Sequence, residues 1–130
     1  MDAQQLLQSG EGRAILSARA NALLITGAAR NIDELVKLLT PQVAAPVQTA
    51  VGWPRAGMPQ EGTLIIREVD RLTLDEQHAM LKWFTESTRS VQTIAVCAEP
   101  LFPLVARGQF LADLYYHLNH VCVRIDAGDS

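Results

Sequence analysis

The sequence predicts an α/β fold, a three-layer domain built on a parallel sheet of about five strands. Three observations predict it. The apolar runs Ala22-Leu23-Leu24-Ile25-Thr26, Thr63-Leu64-Ile65-Ile66 and Val91–Cys97 lack alternation and read as strands buried on both faces. Stretches with helical spacing separate them, which is the pattern of parallel strands joined by crossovers. The chain has 130 residues, 48% hydrophobic and 19% charged, which suits one ordinary globular domain spanning 1–130.

In order, residues 2–8 and 11–19 read as short helices, a helical segment 1–19 ahead of a core at about 20–125. Ser9 can cap the second of them. The first strand ends at Gly27, and Asn31 or Asp33 opens a helix carrying Leu35, Val36, Leu38 and Leu39. That helix stops at Thr40-Pro41, because proline disfavours helix in the residue before it. Pro46 interrupts the apolar stretch Val43–Val51 and leaves a short edge strand near 47–51. GWPRAGMPQEG, residues 52–62, is a loop punctuated by Gly and Pro. After the strand at 63–66, Thr73-Leu74-Asp75-Glu76 has capping-box spacing, and Leu74, Met80, Leu81 and Phe84 form one apolar stripe of a helix. Short helices at Leu101–Ala106 and Leu111–Leu118 flank Gly108, and Val121–Ile125 is the last strand.

Bulk properties exclude several classes. A formal charge of −3 gives no basic footprint for nucleic acid. No apolar run is long enough to span a membrane, and the first residues lack a secretory signal's apolar segment. Cys97 and Cys122 lie in apolar runs and are expected to be buried and reduced, in keeping with a cytoplasmic protein. Neither has a partner at metal-ligand spacing, so no metal site is expected. His117 and His120 read as surface or helix-end residues.

Arg67, Glu68, Asp70 and Arg71 crowd the carboxyl end of the strand at 63–66, where parallel sheets bind ligands, although the same charges would also suit a solvated loop. From here the sequence resembles a known family. GTLIIREVDRL (62–72), Ile94-Ala95 and GQFLADLYYHLN (108–119) are similar to the AAA+ domain of bacterial enhancer-binding proteins, the NtrC-type ATPases that act on sigma-54 RNA polymerase. The family patterns are GTLFLDE and GRFREDLYYRLN. The second is matched by Gly108, Phe110, Asp113, Leu114, Tyr115, Tyr116, Leu118 and Asn119, and the likeness covers about 20–125. It implies a minimal P-loop-like core without the helical lid subdomain.

The resemblance also implies what this chain lacks. The family's phosphate loop GESGTGKE aligns with Gly27-Ala28-Ala29-Arg30-Asn31-Ile32-Asp33-Glu34. Asp33 stands in place of the lysine that holds phosphate, and Arg30 and Ile32 stand where glycines let backbone approach it. The metal-associated aspartate is Arg67, although Glu68 keeps the position that polarises water. Cys97-Ala98 replaces the polar sensor pair, and the finger arginines are Gln109 and Leu111. The GAFTGA insertion that contacts sigma, the lid and a DNA-binding helix-turn-helix have no counterpart in the sequence.

The reading that follows is a pseudo-ATPase with no catalytic residue, cofactor or metal. It would act as a protein-interaction module in sigma-54-related transcription control, with a sigma-54-dependent activator or another transcription component as partner. It would be a monomer or small oligomer rather than a hexameric ring. The alternative is a nucleotide-binding protein or weak ATPase that uses a remodelled cleft around Gly27, Arg30, Asp33, Arg67, Glu68 and Cys97. Arg67 is expected to pair across that cleft with Glu68, Asp70 or Asp33 as a partly buried ion pair that is costly to break. Trp53, Arg55 and Met58 mark a possible interaction loop; the other reading is that Trp53 folds back onto the sheet edge and closes it. Trp83 and Phe84 read as core.

Overall fold

The computed structural model describes residues 5, 8–10, 12, 13, 21–26, 29–54, 57–86 and 91–125, and for 29–31 the backbone alone. The elements are β1 (Ala22–Ile25), α1 (Ala29–Leu39), β2 (Val47–Val51), β3 (Gly62–Arg67), α2 (Leu74–Glu86), β4 (Val91–Cys97), α3 (Phe102–Ala106), α4 (Ala112–Leu118) and β5 (Val121–Arg124). A 3₁₀ turn, Val69–Arg71, sits between β3 and α2. The five strands form one sheet in the order β2-β3-β4-β1-β5. Every pairing is parallel.

Alternate residues of the central strands feed two separate apolar clusters. Leu24, Ile65, Ile94 and Val96 pack with Ile32, Leu35 and Leu39 of α1. Leu23, Leu64, Ile66 and Ala95 pack with Met80 of α2 and with Leu101, Phe110, Leu114 and Leu118. Residues 64–66 and 94–96 are fully buried because helices cover both faces, which is why their sequence shows no alternation.

Local signals account for most element ends. Glu76 N–H donates to Thr73 Oγ1 (3.1 Å) and Thr73 N–H donates to Glu76 Oε1 (2.8 Å), the reciprocal capping box the spacing predicts. Gly12 N–H donates to Ser9 Oγ at 3.0 Å, so Ser9 caps the helical turn that already includes Gly10; the rest of 1–20 lies outside the described residues. α1 ends at Leu39, just ahead of Thr40-Pro41. β2 is an edge strand, as Pro46 suggests.

Three expectations are corrected. α1 begins at Ala29, not at Asn31 or Asp33. Leu74 is the first residue of α2 and stays 46% exposed, and the buried positions of that stripe are Gln77 and Met80. Cys122 is exposed, because β5 is an outermost strand with Val123 buried while Cys122 and Arg124 point to solvent. Cys97, on interior strand β4, is buried as expected.

Candidate functional site

The carboxyl ends of β1, β3 and β4 converge on a cleft of about 220 Å³, lined by Thr26, Ile32, Glu68, Asp70, Arg71, Cys97 and Ala98. Small-molecule sites commonly measure roughly 300–1,000 Å³, so this one is small. Of the sequence-predicted residues, Glu68 and Cys97 line it. Gly27 and the side chain of Arg30 lie outside the described residues.

Arg67 turns to α1 instead. Its Nη1 lies 2.8 Å from Asp33 Oδ1, so it pairs with one of the three carboxylates expected for it. The expectation of a costly buried pair does not hold, because the Asp33 side chain is 70% exposed and water screens it. A pair in that setting contributes about 0.2–1 kcal/mol. Glu68 adopts a left-handed backbone (φ 56°), which turns the chain out of β3 and into the 3₁₀ turn. Its carboxylate faces Arg71 at 4.0 Å, with both side chains largely solvated.

Two groups in the cleft hold their protons more tightly than usual. Burial raises the Asp70 carboxyl above its ordinary 3.8, and the nearby Glu68 and Glu99 add to this against the pull of its own backbone hydrogen bond and of Arg71. Burial pushes the Cys97 thiol up to about 12, helped by Asp70 and then Cys122, and its Sγ lies 3.8 Å from the Leu24 carbonyl oxygen. Cys97 is therefore a protonated structural thiol at neutral pH.

The Asp70 shift has a stability consequence. A carboxyl whose folded value is raised contributes stability that is fully present below about 3.8 and is lost as pH rises through the folded value. Ionised Asp70 thus costs stability at neutral pH. Asp70→Asn is expected to gain on the wild type between acid and neutral pH in denaturant titrations, and to show no advantage below about 3.8. An advantage independent of pH would contradict the burial argument.

The segment 109–111 is held by a residue that the sequence reading does not single out. Gln77, 1% exposed, donates from Nε2 to the carbonyls of Leu72 (3.0 Å) and Gln109 (3.1 Å). Its Oε1 accepts from Leu111 N–H at 2.8 Å. Leu111 packs against the α2-side core, while Gln109 is exposed and its Oε1 accepts from Arg107 Nε at 3.3 Å. The available signal was a polar residue in the apolar stripe, midway between Leu74 and Met80. Asn21 was missed in the same way: its Oδ1 accepts from Thr93 N–H (2.9 Å) and its Nδ2 donates to the His117 carbonyl (2.9 Å), tying α4 to the sheet.

Trp53 and Met58 are half-buried and pack on the α2-side cluster, so the loop after β2 folds back onto the sheet; Arg55 lies outside the described residues. Phe84 packs on the same cluster, and its ring lies 5.0 Å from Trp83 and stacks on His117 at 5.2 Å. His117 is half-buried at a helix end, and His120 is exposed.

A five-stranded parallel sheet with helices on both faces and a cleft at the strands' carboxyl ends makes a three-layer α/β fold like that of P-loop NTPase domains. Residues 28–127 match the Sigma-54 interaction domain model, and the chain belongs to that family, as an AAA+-like domain. Among solved structures, NtrX from Brucella abortus in complex with ATP superposes with a TM-score of 0.73 at 17% identity, covering 96% of this chain and 37% of that one. The P-loop NTPase domain of the Sigma-54 transport activator from E. coli gives 0.61 at 16% identity and covers 99% of both chains. The DNA clamp loader delta protein of Bacillus subtilis gives 0.53 at 10% identity, covering 96% of this chain and 42% of that one. These identities establish the fold alone, and the chain spans little more than a third of NtrX's length. No curated protein matches the sequence significantly.

Proposed function

We propose that this domain is a non-catalytic AAA+-like module that binds a protein partner in sigma-54-related transcription control. The observation that carries this reading is the Asp33–Arg67 ion pair. The stretch 27–34, aligned with the family's phosphate loop, is helical from residue 29 onward. Asp33 then presents a carboxylate where the family presents a lysine, and that carboxylate is engaged with Arg67. Asp70 and Glu68 make the adjoining cleft acidic, which disfavours a polyphosphate and leaves Arg71 as its cation among the described lining residues.

The partner is a protein, a sigma-54-dependent activator or another component of that transcription system, and the domain works by presenting a retained scaffold rather than by hydrolysis. The alternative, a nucleotide-binding protein or weak ATPase, draws on Glu68, which does line the cleft.

Isothermal titration with Mg-ATP separates the two. Each lost charge-assisted phosphate contact is worth about 1.5–3 kcal/mol, so several together put the dissociation constant above roughly 1 mM. No heat of binding is expected across the micromolar range. Saturable binding at tens of micromolar would overturn the non-catalytic reading.

A further inference from the structure

The two edges of the sheet are built differently. On β5, Cys122 and Arg124 are exposed, so a charged side chain guards that edge. β2, with the sequence Val-Gln-Thr-Ala-Val, carries no charge and no proline. Its register against β3 runs from Val47↔Thr63 to Val51↔Arg67. Thr63 N–H donates to the Pro46 carbonyl (3.0 Å) and Gly52 N–H donates to the Arg67 carbonyl (2.8 Å), at the two ends of that ladder.

In a parallel ladder these bonds fix the direction of every group between them. The amides of Gln48 and Ala50 turn toward β3, and the N–H and C=O of Val47, Thr49 and Val51 turn outward. No described residue hydrogen-bonds those outward groups. The described part of the following loop lies over one face of the sheet: Gln48 Nε2 donates to the Gly57 carbonyl (2.8 Å), and Trp53 and Met58 pack on the α2-side cluster. Thr49 is exposed, and Val51 is 62% exposed.

We propose that β2 is a self-association edge, at which a second copy of this chain adds its own β2 antiparallel across a two-fold axis through Thr49. The strand is complementary to itself in that register. Val47 faces Val51 of the partner copy, Gln48 faces Ala50 and Thr49 faces Thr49. Every outward N–H of one copy then meets an outward C=O of the other. β-branched side chains pair with β-branched ones, Thr–Thr pairs are favourable across strands, and no like charges are opposed. Shifting the register by one residue would set inward-pointing groups against outward ones and lose the ladder. The contact is short, so the dimer is weak, in the micromolar to roughly millimolar range, and forms without nucleotide. This inference is independent of the non-catalytic reading.

The test is sedimentation velocity on the full chain over a concentration series, with Thr49→Lys and Thr49→Glu variants alone and mixed. The residue is exposed, so both variants should keep the wild-type far-ultraviolet circular dichroism. The wild type should show a concentration-dependent monomer–dimer equilibrium. Each variant alone should associate at least about ten-fold more weakly, because like charges then meet on the axis. The equimolar mixture should regain dimer at low salt and lose it at high salt. A wild type that stays monomeric up to roughly millimolar concentration overturns the proposal. So does a dimer that both variants leave unchanged, a ring larger than a dimer, or a mixture that stays monomeric.

Discussion

Gln77→Ala is expected to destabilise the domain by about 2–4 kcal/mol, near the top of the range for a single substitution. The side chain is 1% exposed and makes two donations and one acceptance, all to backbone. Removing it leaves the Leu72 carbonyl without that partner in a buried place, and the Gln109 carbonyl and Leu111 amide without theirs in a part-buried one. An unmade bond to a buried backbone group costs about 1–3 kcal/mol, more than the bond contributes when made. The effect should concentrate on the segment that Gln77 holds. Amide exchange at Leu111 and along α4 should accelerate more than exchange in β1 or β4. Gln77→Leu separates packing from hydrogen bonding, since it fills the space without the polar atoms. Denaturant unfolding of both variants decides it: a leucine variant as stable as the wild type would show that volume, not the amide, holds residues 109–111 to α2.

Gly62→Ala is the second large effect, expected at about 2–4 kcal/mol. Gly62 opens β3 with φ 82°, a region in which a Cβ costs about 1 kcal/mol or more. A Cβ there would also overlap the Pro46 backbone, including its carbonyl oxygen, which is already engaged by Thr63 N–H. Backbone cannot rotate away as a side chain can, so the strand or the Pro46 segment must shift. Gly57 supplies the control. It has φ 92° but nothing within 4 Å of the Cβ position, so Gly57→Ala should lose only the conformational part, about 1 kcal/mol. Equal midpoint shifts for the two variants in urea would show that the close approach at Gly62 carries no energy of its own.

Gly62 also illustrates how much of this molecule is legible in one dimension. The residue belongs to the GTL motif by which the family resemblance is noticed, yet the motif says nothing of why glycine stands there. The reason is Pro46, sixteen positions earlier, brought under β3 by the β2 pairing. Gln77 follows the same logic. Its position in the apolar stripe marks it as unusual, but the groups that satisfy it lie as far away as residues 109–111, and their positions depend on the packing of α4 against α2.

Local chemistry was sufficient for most of the architecture. Apolar runs without alternation located β1, β3 and β4, because strands covered on both faces need no polar side. The Thr73–Glu76 box and Pro41 placed the start of α2 and the end of α1, because caps and proline act within a few residues of themselves. The family resemblance, which needs no coordinates, singled out positions 33, 67, 97, 109 and 111. What the tertiary structure decided was distance and solvent. It set Arg67 beside Asp33 rather than beside Glu68 or Asp70, and it left that pair wet, which turns an expected cost of several kcal/mol into a fraction of one. It exposed Cys122 on the outermost strand while burying Cys97 on an inner one, although both lie in similar apolar runs. It also showed the helix reaching back to Ala29, ahead of the Asn31 or Asp33 start that the sequence suggests. Charge screening, burial and hydrogen-bond partners depend on what lies within a few ångströms in space. A sequence states only what lies nearby along the chain.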